Sequence, residues 1–149
     1  MSRKYAIPFS DTNTVNTTLG AINGVTTVRP KIYDFIIGSS AAPADNAAKY
    51  VLQRFTALGT STAVTPVALD PGDPAALAAA GQAHTVEPTY TASAICLQVA
   101  FNQRATWRWV AAPGSEIVLP ANTTNGVGIL VTAVSGGSVL TDGTIYYEE

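Results

Sequence analysis

A chain of 149 residues, 47% apolar and 12% charged, is one domain's worth of sequence, long enough to bury roughly 68–70% of the surface its unfolded form exposes. Its net charge of −2, with eight Lys and Arg scattered along it, excludes the basic face that nucleic-acid binding requires. One cysteine excludes an intrachain disulfide, and no apolar run approaches the ~20 residues of a membrane helix.

The charged share is about half the usual ~25%, and Thr, Ser, Asn and Ala take its place. Such a surface suits a protein largely covered by partners better than a solitary soluble monomer. The N-terminus carries no apolar secretory core, so synthesis in a cytoplasm is expected.

In chain order, strands and turns dominate. Tyr5, Ile7 and Phe9 alternate with small or polar neighbours, and Pro8 predicts an edge position for that strand. Val15 to Ile22 reads as a weak, Thr-rich strand. Lys31 to Gly38, KIYDFIIG, alternates with Ile32, Asp34 and Ile36 on one side and Tyr33, Phe35 and Ile37 on the other. After the turn-forming GSSAAPADN, strands are expected over Tyr50 to Leu58 and Ala63 to Leu69, the latter closed by DPGDP. DPAALAAA, Asp73 to Ala80, is the one helical candidate, with an Asp cap, Pro in its first turn and Gly81 as a stop.

Further strands are expected over Ala94 to Phe101, Ala105 to Ala111, Ser115 to Leu119, Val127 to Val134 and Ser138 to Tyr147. Gly136-Gly137 has the form of a two-residue hairpin turn. Nine or ten short strands with at most one short helix predict an all-β fold: a single-domain, jelly-roll-like β-sandwich. Within that one domain, residues 1–28 read as an N-terminal strand or arm and 29–149 as the sandwich.

Constellations that carry chemistry are hard to build from this chain. His84 stands alone, and Cys96 lies in AICLQVAF, a context that predicts a buried, inert thiol. The ten carboxylates show no spacing that recommends a glycosidase pair. Asp70 and Asp73 are explained by their turn, and Gly126-Val127-Gly128 lacks the Lys and helix of a phosphate loop. No catalytic, cofactor-binding or metal-binding residue is assigned, and an enzyme is not expected.

Both tryptophans fall in one stretch, ATWRWVAAPGSEIVLP. Trp107 and Trp109 share one face of a strand and Arg108 takes the other. Two uses fit such a pair: a platform for a sugar, or packing. Ile117 and Leu119 on the following strand extend the same apolar face, as in a half-buried hairpin. Trp107, Trp109, Ile117 and Leu119 are therefore assigned to core or intersubunit packing. At the termini, Tyr5, Ile7 and Phe9 and the closing pair Tyr146 and Tyr147 are candidates for contacts with a neighbour.

Four stretches carry a resemblance: KIYDFIIGS, then APADNAAKYVLQRFTALGT, then DPGDPAA, and late in the chain WRWVAAPGSEIVLP. Together they make the span from Arg29 to Gly137 similar to a family of small virion proteins of tailed bacteriophages. The resemblance implies a jelly-roll-like sandwich that assembles as a homotrimer on the outside of an icosahedral head. There it would act as a capsid cement or decoration protein, with the major capsid protein as partner and no cofactor. Met1 to Val28 has no counterpart in the resemblance, so the capsid-facing end stays unassigned. Two other uses are compatible with the residues: another virion module (head fibre, tail or baseplate), and a carbohydrate-binding module using Trp107 and Trp109.

Overall fold

Alternating apolar and polar residues, punctuated by turn formers, give twelve strands and no helix over residues 2–149, the part of the chain described by the computed structural model. They are β1 (Lys4–Thr12), β2 (Thr18–Asn23), β3 (Lys31–Ser39), β4 (Ala47–Ala57), β5 (Thr60–Val64), β6 (Val67–Ala68), β7 (Ala80–Val86), β8 (Thr89–Asn102), β9 (Trp107–Val110), β10 (Ile117–Val118), β11 (Gly126–Val134) and β12 (Leu140–Glu148).

One sheet runs β10-β3-β12-β1-β6, with β9 also on β3; the other runs β5-β7-β2-β11-β4-β8. β1 pairs with β12, β2 with β11, β3 with β9 and β4 with β8, all antiparallel. That nesting is a long hairpin rolled into two packed sheets, the order of a jelly roll. The segment β5–β7 is an insertion that widens both sheets on the β1/β2 side. Of the N-terminal stretch, β1 and β2 lie within the two sheets.

The core forms where the two inner faces meet. Tyr5, Ile7 and Phe9 of β1, Ile145 and Tyr147 of β12, and Tyr50 and Leu52 of β4 are each at most 3% exposed. Truncating one of these to Ala removes apolar contacts and leaves a cavity, a cost of about 2–5 kcal/mol. Phe9 stacks on Phe35 with ring centroids 6.2 Å apart. Gly143 opposite it is required, since a Cβ there would stand 2.4 Å from the Phe9 ring.

Several expectations are corrected. In β3, Tyr146 pairs with Asp34 but Tyr147 with Ile32, so Tyr33 is an extra, bulged residue. The bulge shifts the alternation: Ile32, Phe35 and Ile37 all point inward, with Asp34 and Ile36 on the outer face. Pro8 is not on a true edge strand, because β1 lies between β12 and β6. However, β6 covers only Tyr5 and Ala6. The Ser10 N–H points away from β12 to Gln82 Oε1, and Pro8 has the same parity, so its missing donor falls where no strand pairs.

DPAALAAA forms no helix. The N–H groups of Leu77 and Ala78 donate instead to the Glu149 carboxylate, at 3.0 and 2.7 Å, and Ala80 starts β7 opposite Ile22 and Val64. Eight residues cannot offset the cost of helix nucleation when a carboxylate and a sheet edge offer partners at once. Trp107 and Ile117 are not on two arms of a hairpin either. β9 and β10 lie end to end along the same flank of β3, on either side of its bulge. Gly136 and Gly137 do adopt positive φ (73° and 108°), but they link strands of different sheets rather than a hairpin.

Candidate functional site

β8 and β9 end their sheets on the same side of the sandwich, β8 flanked only by β4 and β9 only by β3. Alternation points Leu97, Val99 and Phe101 of β8 and Trp107 and Trp109 of β9 into the gap between sheets. All five pack against the core, and all five remain half-buried, because no further strand covers their flank. The result is an apolar seam open along one side of the molecule.

A row of rings ties the seam to both sheets. Trp107 meets Phe35 edge-on at 6.2 Å and lies nearly parallel to Phe101 at 6.3 Å. Phe101 in turn stacks on Tyr50 at 5.1 Å. Aromatic pairs in these geometries add roughly 0.5–1.5 kcal/mol each beyond area burial. Ile117 and Leu119 take no part: both are buried in the core, Ile117 paired with Ile32 and the Leu119 N–H donating to the Pro30 carbonyl.

The strand edge is unprotected by its own sequence. TYTASAICLQVAFN contains no charged residue and no proline, two of the usual guards of an exposed edge. Its irregularities all lie before Leu97, and from Leu97 to Asn102 the pairing with β4 is regular. The two nearby arginines are already engaged. Arg108 donates a bidentate pair of hydrogen bonds to the buried Asp34, from Nε at 3.0 Å and from Nη2, which holds its pKa further up through the bond and then the charge. Arg104 faces Asp45 at 3.8 Å.

At the end of the sandwich, a buried polar cluster fixes the loops that lead into the seam. Asn13 donates to Tyr50 Oη (2.9 Å) and Gln103 Oε1 (3.2 Å), and accepts from the Val139 N–H. Gln103 Nε2 donates to the carbonyls of Ser135 and Gly137. Nothing in the local sequence NQRA distinguishes Gln103 from any loop glutamine; only its neighbours in space make it a core residue.

Tyr5, Ile7, Phe9 and Tyr147 form core rather than contact surface, with Tyr5 and Tyr147 stacked at 5.5 Å; Tyr146 alone of that set faces outward, against Tyr33. Cys96 is exposed, not buried, because β8 is a terminal strand with an open outer face. Among the described residues no three His, Cys, Asp or Glu side chains are grouped to hold a metal.

One concavity, of about 760 Å³, is a trough over the outer face of the first sheet, between Val64 and Gln82 on one side and Thr106 on the other. Its floor is Pro8, Ile36 and Thr144, with Asp142 its one carboxylate. This mix of apolar and polar side chains suits contact with another surface as much as a small molecule.

Comparison with known protein families, curated proteins and solved structures gives no match.

Proposed function

We propose that the chain is a non-enzymatic structural protein of a bacteriophage virion, a decoration protein that binds the outside of the capsid lattice and stabilises the head. The observation that carries this reading is the apolar surface of the insertion between β4 and β8. Val67, Leu69 and Leu77 there are 56%, 49% and 53% exposed. Leu69 is hydrogen-bonded to Lys4 and Leu77 to Glu149, and Arg3 pairs with Glu149, so the leucines stand beside the same end of β1. Grouped apolar side chains on a lightly charged body suit a surface that another protein covers. On the resemblance of the stretches between Arg29 and Gly137, that protein would be the major capsid protein.

On this reading the mechanism is mass action. A protein that binds the assembled shell and not free subunits stabilises the shell by RT ln(1 + [L]/Kd), and many copies multiply a modest contact. The test is co-sedimentation with shells of the parent virus stripped of their outer proteins, followed by heating of the loaded shells. Saturable binding and a raised disruption temperature are expected, both lost in a folded Val67→Asp/Leu69→Asp variant. A folded wild type that leaves stripped shells bare would overturn the reading.

The half-exposed tryptophans favour carbohydrate binding as a second reading. It requires that glycans shift the fluorescence of Trp107 or Trp109 in a saturable way.

A further inference from the structure

We propose that the open seam between β8 and β9 is a self-association surface, closed by the same seam of a second copy across a two-fold axis. The inference concerns how copies of this chain meet; it does not rest on the virion reading, and it puts a two-fold contact where the resemblance implies a three-fold one.

The geometry selects the occupant. The seam is bounded by two free strand edges at once, β8 from one sheet and β9 from the other. A single added strand would satisfy one edge and leave the other. A second copy brings two edges at the same separation. A two-fold axis normal to the layers sets β8 against its counterpart in antiparallel fashion and does the same for β9, so both sheets continue across the junction. The half-buried side chains Leu97, Val99, Phe101, Trp107 and Trp109 then meet their equivalents and complete the core that each copy leaves open.

Charge permits the pairing. A two-fold contact places like against like, so a charged edge would repel itself. β8 has no charge in its fourteen residues, and Arg104 and Arg108 at the margin are paired with Asp45 and Asp34 within their own chain. The regular stretch Leu97–Asn102 offers unpaired backbone donors and acceptors without a bulge to turn them away.

The experiment is the solution mass of the full chain by light scattering at low and high concentration, with hydrogen exchange read at both. A dimer of about 31 kDa, twice the 15.4 kDa chain, is expected at high concentration. The outward-pointing N–H groups of residues 97–102 should gain protection in step with it. Gln98→Lys/Ala100→Lys, which alters two exposed positions and no core contact, should give a monomer of unchanged melting temperature in dilute solution. A wild type that stays monomeric would overturn the proposal, as would a trimer of about 46 kDa. So would a dimer in which residues 97–102 exchange as fast as in dilute solution. The exchange readout uses the wild type alone, so the proposal can fail or stand whether or not the variant folds.

Discussion

Trp107 lies nearly parallel to Phe101 across the gap between the two sheets, with ring centroids 6.3 Å apart and planes inclined by 16°. The contact joins consecutive strands of opposite sheets and sits at the rim of the core, with solvent on its outer side. In dilute solution Trp107→Ala should therefore cost about 1.5–3 kcal/mol, short of the ~3–5 of a fully enclosed tryptophan. Chemical denaturation of a soluble variant checks this; a loss within about 0.5 kcal/mol of zero would mean that the ring adds nothing to the packing.

Asn13 and Gln103, 90 residues apart, share one hydrogen bond and hold three loops between them. Removing either side chain leaves buried donors or acceptors without partners, each costing about 1–3 kcal/mol. Asn13→Ala and Gln103→Ala should each destabilise by about 2–4 kcal/mol, and the double variant by clearly less than the sum. Strict additivity in a denaturation cycle would show that the two act independently.

Burial holds the His84 imidazole below its ordinary pKa, against weaker upward pulls from Glu87, the Thr18 backbone and Asp11. The unfolded chain therefore binds a proton at higher pH than the folded one. This contribution to stability is complete above about pH 6.5 and is lost as pH falls from there towards the lower folded pKa. Melting temperatures from pH 8 to pH 5 should decline below that point, and His84→Gln should flatten the decline. An identical slope in the variant would assign the pH dependence to the carboxylates.

Cys96 lies on the outer face of a terminal strand. The folded protein should take up one equivalent of a thiol reagent at a rate close to that of a free thiol. Labelling that waits for denaturant would contradict the exposed placement.

The strands themselves were legible because alternation and turn chemistry are local. Tyr5, Ile7 and Phe9 announce one face of β1, and Trp107 and Trp109 one face of β9, in the spacing alone. β7 was not legible: AGQAHTV has a single large apolar residue, Val86 at its exposed end, too little to mark a face, and the alanines before it imitate a helix. The bulge at Tyr33 was equally hidden, since it arises from the register β12 imposes on β3. Gln103 reads as a loop residue and Cys96 as a core one; space reverses both.

By itself, then, the sequence determined that the chain is all-β, where most strands run, and which side chains share a face. Only the tertiary structure decided what lies against each face. Period-two alternation states that two side chains point the same way, not whether another strand stands beside them. Tyr5 and Trp109 carry the same local signal, yet Tyr5 has β12 on one flank and β6 on the other, whereas Trp109 has β3 on one flank and no strand on the other. That difference is a property of strand order, fixed by contacts between residues distant in sequence. It makes one aromatic core and leaves the other at an open edge.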